Sequence, residues 1–244
     1  MTDLNNKKNV IITGASSGIG TAIAVELSQN YNIIAVDKND CSLNSVDFYI
    51  TDLSKQESVI DLAGQLLEKY NRINGIVNCA GIFCFKNRSG IEQLDFNELE
   101  KLIQNNLFSN LFVTKYMLPL LKNAVGSKFI INISSDQSFY PRVKDFSYAL
   151  SKSAISMTTR LVAKELEKYN IRVNEIAPAS VRTGFLDNVF DQDTLDEIFR
   201  KEFESYSFGE ILPSDIAKSV RFLADETSKC ITGQTIIIDS GKYL

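Results

Sequence analysis

The stretch Asn9-Val10-Ile11-Ile12-Thr13-Gly14-Ala15-Ser16-Ser17-Gly18-Ile19-Gly20, with Ile33-Ile34-Ala35-Val36-Asp37 one helix-length downstream, decides how this chain folds. Val10, Ile11 and Ile12 form a continuous β-branched run, the pattern of a strand buried on both faces of a parallel sheet. Gly14 permits a tight turn, Gly18 lets a pyrophosphate approach the backbone, and Gly20 lets the next helix pack closely on its strand. Ser16, Ser17 and Ile19 complete the turn, and free N–H groups at the helix start face the anion. Ile19, Ile23 and Leu27, spaced i, i+4, i+8, give that helix its buried stripe. After Asn30 the chain returns as a second strand ending in Asp37, whose carboxylate can accept from both hydroxyls of an adenosine ribose and repels a 2′-phosphate. Strand, turn, helix, strand and acid together imply a dinucleotide site that favours NAD over NADP. Lys38 partly offsets the charge of Asp37, whereas Ser17 and Thr21 bring no positive charge to the turn.

The same rhythm continues down the chain. A third strand is expected over 47–51, which puts Asp52 and Leu53 at its carboxyl end beside an adenine. Ser54 and Glu57 have capping-box spacing for a helix through Val59, Leu62, Leu66 and Leu67. Gly75-Ile76-Val77-Asn78-Cys79-Ala80-Gly81 is another apolar strand ending in a small-residue turn, with space for a ribose or pyrophosphate. Asp95 and Glu98 cap a helix running to Leu121, which Pro119 is expected to bend or end. Asn105 and Asn106 fall in the middle of that helix and read as solvated polar positions. Residues 129–133 form a strand that delivers Ser134 and Ser135 to its end. Asp145 can cap a helix in which Tyr148 and Lys152, one turn apart, project from one face. Strands are expected over 171–178, ending at Pro178, and over 236–239. This alternation implies an α/β fold: one Rossmann-like, doubly wound parallel sheet of about seven strands with helices on both faces. The 244 residues suit a single domain, with a cofactor half over about 8–135 and a substrate half over about 136–244.

Composition removes whole classes of chemistry. The sequence contains no histidine, which excludes Ser-His and Cys-His nucleophiles and any histidine base. Cys41, Cys79, Cys84 and Cys230 lack metal-ligand spacing, so no metal site is expected. Acid–base chemistry then falls to Tyr, Lys, Asp, Glu or Cys. A net charge of −4 argues against a nucleic-acid surface. No secretion signal or membrane-length apolar run is visible, so the expected compartment is the cytoplasm, with no membrane partner.

Over nearly its full length the chain resembles the short-chain dehydrogenase/reductase family. Thr13-Gly14-xxx-Gly18-Ile19-Gly20 matches the family's cofactor turn, Asn78-Cys79-Ala80-Gly81 its NNAG element, and Asn106 its helix asparagine. Ser135 with Tyr148-xxx-Lys152 matches its catalytic core, and Pro178, Val181 and Thr183 its nicotinamide loop. Cys79, Ala179 and Ser240 depart from the usual asparagine, glycine and glycine. The resemblance implies hydride transfer between NAD(H) and the alcohol or carbonyl group of a small apolar or cyclic substrate. Tyr148 would be the general acid/base, with Lys152 favouring its phenolate and Ser135 bonding the substrate oxygen. Asn106 would hold a water linking Lys152 to solvent. Two alternatives are an NADPH-dependent 3-oxoacyl-acyl-carrier-protein reductase and a non-catalytic NAD sensor. The family also implies a homo-oligomer, a tetramer or dimer, built on the helices near Asp95 and Asp145.

Two variable stretches should line the substrate pocket. The first, 136–142, carries Gln137, Phe139 and Arg142, and the run Ser135-Asp136 with Pro141-Arg142 and Tyr148 is similar to that of one NAD-dependent branch of the family. Arg142 suits a substrate carboxylate or, alternatively, a solvated surface. The second, 184–212, is dense in aromatics, among them Phe185, Phe199, Phe203, Tyr206 and Phe208, and reads as an apolar lid or as ordinary helix core.

Overall fold

The computed structural model describes residues 7–41, 43–44, 46–84, 89–183 and 191–244. Its centre is a sheet of β1 (Lys8–Thr13), β2 (Tyr31–Asp37), β3 (Asp47–Ile50), β4 (Gly75–Asn78), β5 (Lys128–Ile133), β6 (Ile171–Pro178) and β7 (Thr235–Ile238). The spatial order is β3-β2-β1-β4-β5-β6-β7 with every pairing parallel, so strand order reverses between β1 and β4. That reversal point is where doubly wound sheets open a crevice at their carboxyl ends.

Strand alternation divides the core. Val10, Ile12, Ala35, Val77, Phe129 and Ile131 face one way, onto α1 (Gly18–Ser28) and α7 (Pro213–Ala224), the helix that follows α6 (Gln192–Phe203). Ile11, Ile34, Ile76, Ile130 and Val173 face the other, onto α2 (Gln56–Lys69), α4 (Ser109–Lys122) and α5 (Phe146–Leu166). Both faces are buried, which is why these strands read as unbroken apolar runs. Among the described residues no helix is long and apolar enough to cross a membrane.

Several local expectations change. The helix after β3 starts at Gln56 with Lys55 at its N-cap, and Ser54 instead donates to Asp52 Oδ1 at 2.6 Å, so the Ser54–Glu57 capping box does not form. Asp95 does cap α3 (Phe96–Leu102), accepting from the N–H groups of Asn97 and Glu98. The single long helix expected to follow is interrupted by a π-helical segment over Ile103–Phe108 before α4 begins. Pro119 does not end α4, which runs on to Lys122. Asp145 stands at the N-cap of α5 without a side-chain cap bond, because its carboxylate accepts from Gln137 Nε2 at 3.1 Å.

Candidate active site

The strand ends border one cleft of about 670 Å³, a size typical of small-molecule sites. At its first end Gly14 has φ +68°, and a Cβ there would lie 2.8 Å from Ala80 Cα. Thr13 Oγ1 accepts the N–H groups of Cys79 and Ala80 at 3.0 and 3.1 Å, tying the turn after β1 to the turn after β4. A Cβ on Gly20 would sit 1.9 Å from Gly14 O, so only glycine lets α1 start flush against its turn. Ser17, the N-cap of α1, makes no side-chain cap bond, which leaves first-turn N–H groups for an anion.

Asp37 lines the same end. Its two oxygens accept the N–H groups of Ser16 and Asn39, each at 3.1 Å. Each carboxylate oxygen keeps a further lone pair for a ribose hydroxyl, so the fixed carboxylate and open turn fit the adenosine and pyrophosphate of a dinucleotide. Asp52 is held by the Ser54 hydroxyl and amide and by Lys55, at 3.2 Å; the Ser54 bonds, the larger cause, and Lys55 keep its carboxyl below the usual range. Leu53, Ser16, Ser17, Gly18, Ile19, Ala80 and Gly81 all border the cleft as expected, and Lys38 does too.

Asn78 does not. Strand alternation turns its side chain to the α4 face, where it donates to Thr114 Oγ1 at 3.2 Å and Asn132 Oδ1 at 2.9 Å. Expected as a cofactor contact, it instead braces the sheet beneath the site.

At the other end, α5 presents Tyr148 and Lys152 to the cleft and the end of β5 presents Ser135. The Ser135 hydroxyl accepts from Gln137 N at 3.2 Å and donates to Asp136 Oδ1 at 2.9 Å. Lys152 is buried; its Nζ donates to Ile133 O at 3.1 Å and lies 5.8 Å from the Tyr148 ring centroid. Burial lowers Lys152 to about 8, opposed by the charges counted for Cys79 and Glu175. Burial pushes the Cys79 thiol up to about 12, so at neutral pH it is uncharged.

Burial also raises the Tyr148 hydroxyl above its ordinary value; Ser135 opposes this, and the charges of Asp136 and Asp145 add to it. The expected push of Lys152 toward phenolate is not among the influences on Tyr148, and burial dominates. The protein alone holds Tyr148 as a neutral phenol.

Asn106 is fully buried, contrary to its solvated reading. Its Oδ1 accepts Ile82 N at 2.7 Å, and its Nδ2 donates to Ile82 O at 3.1 Å and Ser151 Oγ at 2.9 Å. The side chain is thus a clamp on the chain leaving β4, with both amide protons engaged and one lone pair of Oδ1 remaining. A Cβ on Gly81 would fall 3.1 Å from Asn106 Oδ1 and 3.3 Å from Lys152 Nζ, so that glycine keeps both groups in place.

Pro178, Val181 and Thr183 line the cleft after β6, and Ala179 N bonds Ile238 O at 2.9 Å, fixing that loop to β7. Of the substrate candidates, Gln137 and Arg142 border the cleft, Phe139 does not, and Phe185 lies outside the described residues, as do Leu186, Val189 and Phe190. Arg142 is part-buried and already meets carboxylates of the protein: its guanidinium pairs with Glu202 at 2.7 Å and faces Asp136 at 3.7 Å. Phe199 lines the cleft, whereas Phe203 and Tyr206 pack into the core.

Sequence reasoning passed over Glu202, Ser180 and Lys242, which join this cluster. Glu202 Oε1 accepts from Arg142, from Ser180 Oγ at 2.9 Å and from Lys242. Burial opposes its ionisation, yet the bond from Lys242 and the charges of Arg142 and Lys242 bring its carboxyl down to about 2. Tyr243 donates to Asp136 Oδ2 at 2.8 Å and stacks on Tyr140, ring centroids 3.9 Å apart. These partners are separated by long stretches of sequence, and no local motif marks them.

Comparison with known proteins fits this geometry. The family model described as short chain dehydrogenase matches residues 8–194. The 3-oxoacyl-(acyl-carrier-protein) reductase of Thermotoga maritima is 30% identical over 96% of this chain and 97% of its own. The 2,3-dihydro-2,3-dihydroxybenzoate dehydrogenase of Bacillus subtilis is 30% identical over 97% of this chain and 96% of its own. The aldohexose dehydrogenase of Thermoplasma acidophilum superposes with a TM-score of 0.89 at 26% identity, covering 97% of this chain and 94% of that one. With the glycine turn, the Ser135-Tyr148-Lys152 grouping and the seven-stranded sheet all in register with that match, the chain belongs to the short chain dehydrogenase family.

Proposed function

We propose that this oxidoreductase moves hydride between NAD(H) and the alcohol or carbonyl carbon of a small substrate, with Tyr148 as the proton-transfer group. The observation that carries the reading is the meeting of Tyr148, Ser135 and Lys152 at one end of a cleft whose other end is the glycine turn and Asp37. The bound nicotinamide would supply or accept the hydride. Tyr148, held neutral, is suited to give its proton to a substrate oxygen during carbonyl reduction. Ser135 supports that oxygen once its hydroxyl turns from Asp136, and Lys152 places a positive charge below the phenol while it remains protonated. Asn106 and Gly81 set the position of Lys152 and need not touch substrate.

Asp37 supports NAD through its free lone pairs and its repulsion of a 2′-phosphate. A second reading, an NADP-dependent reductase of acyl-carrier thioesters, draws on the Thermotoga relative and on Lys38, a cation bordering the adenosine end. Fluorescence titration with NADH and NADPH separates the two, the expected result being tighter NADH. In the same protein Tyr148→Phe is expected to abolish turnover while changing the NADH Kd less than threefold. Retained turnover removes Tyr148 from the mechanism. Assembly as a homo-oligomer is part of the proposal, supported by Leu150, Met157 and Leu161, which stand exposed on α5.

A further inference from the structure

Resting on the dehydrogenase reading of this cleft, the geometry points to a neutral, polyhydroxylated ring, a cyclitol or sugar-like polyol, as the substrate. The half of the cleft beyond Tyr148 is bordered by Gln137, Arg142, Asp145, Ser180, Phe199 and Glu202. Several of its protein donors are already engaged. Ser135 gives its proton to Asp136, Ser180 and Arg142 donate to Glu202 at 2.9 and 2.7 Å, and Gln137 Nε2 donates to Asp145 at 3.1 Å. Lys242 adds a further donor to Glu202, and Tyr243 one to Asp136.

Beside them, two acceptors are left without a donor. Gln137 is 6% exposed, and its Oε1 has no hydrogen-bond partner among the described residues. The amide orientation is fixed by the carboxylate of Asp145, which would repel Oε1 if the group were flipped. All the hydrogen bonds of Glu202 fall on Oε1, so Oε2 has none among the described residues. A ligand that satisfies this wall must bring its own O–H donors, because a buried acceptor left unpaired costs free energy.

Charge narrows the class further. Asp136, Asp145 and Glu202 outnumber Arg142 and Lys242, and the guanidinium that could have met a substrate acid is paired with Glu202. A carboxylate or phosphate substrate would face net repulsion from this surplus of acids. Phe199 borders the same half, and Phe83 stands edge-on to Tyr148 with ring centroids 4.8 Å apart. These apolar surfaces suit the C–H face of a ring whose rim carries hydroxyls.

The test uses the full chain saturated with whichever dinucleotide it binds, offered myo-inositol and D-glucose, cyclohexanol as a ring with one hydroxyl, and 3-hydroxybutyrate as an acid. Absorbance at the reduced nicotinamide band reads turnover and thermal denaturation reads binding. At least one polyol is expected to exceed cyclohexanol in kcat/KM by about 100-fold or more, since a site built for substrate hydroxyls rejects analogues lacking them, and only polyols should raise Tm. Gln137→Met and Glu202→Gln should each lower polyol kcat/KM about tenfold relative to cyclohexanol kcat/KM in the same variant, the loss of one hydrogen bond. The Gln137 variant serves if Glu202→Gln does not fold. Cyclohexanol or the acid matching the polyols, or polyols giving neither turnover nor a Tm rise on dinucleotide-loaded protein, overturns the substrate class and leaves the dehydrogenase reading standing. Absence of dinucleotide binding, or polyol turnover surviving Tyr148→Phe, overturns that reading instead.

Discussion

Lys152 shows how one residue sets function against stability. Its ammonium is buried and its affinity for a proton falls to about 8, so between about 8 and 10.5 the unfolded chain binds the proton that the folded chain releases. Stability contributed by this group therefore rises with pH through that window, and the full cost of burying the charge is present below it. Lys152→Met is expected to stabilise the dinucleotide-free protein by up to about 3 kcal/mol at pH 7, a difference that closes by about pH 10.5. Urea denaturation at both pH values checks it, and an equal gain at the two would show that packing, not charge, is responsible. Asp37 also has a double duty, holding Ser16 N while facing the adenosine end. Asp37→Ala should weaken both dinucleotides but NADH more, by about tenfold against NADPH, the scale of one charge-assisted hydrogen bond. An unchanged NADH/NADPH ratio in equilibrium titration defeats the specificity argument.

Elements differ in how far their sequence gives them away. The runs Val10-Ile11-Ile12 and Phe129-Ile130-Ile131 are legible because burial on both faces leaves no position for a polar residue. Asn106 is illegible for the opposite reason: its partners Ile82 and Ser151 lie on other elements, and the π-helical turn that admits it depends on them. Asn78 sits in a motif that is easy to read, yet its direction follows from strand alternation, which turns it toward Thr114 and away from the cleft. The Asp136–Arg142–Glu202–Lys242 cluster needs tertiary structure to exist at all. Removing the clamp tests the element: Asn106→Ala leaves the part-buried polar groups of Ile82 unpaired and should cost about 2 kcal/mol in denaturant unfolding. A loss below about 0.5 kcal/mol would mean that the loop after β4 holds its place without Asn106.

For the whole molecule, the controlling fact is that every strand pairing is parallel and the cleft draws on the ends of β1, β2, β4, β5 and β6 together. A ligand spanning those ends binds the folded chain and not the unfolded one. The preferred dinucleotide at a hundredfold excess over its Kd should add about 2.7 kcal/mol, a Tm rise of roughly 5–10 °C. Calorimetry over a concentration series checks this, and a concentration-independent Tm rejects it. The tie from Thr13 to the amides of Cys79 and Ala80 joins strands whose pairing spans more than sixty residues of chain, and contacts of that range are slow to form. Between synthesis and closure of that tie the polypeptide is open to proteases, and each reopening exposes it again. A dinucleotide that holds the two turns together would make those reopenings rarer, and so lengthen the life of the chain under protease.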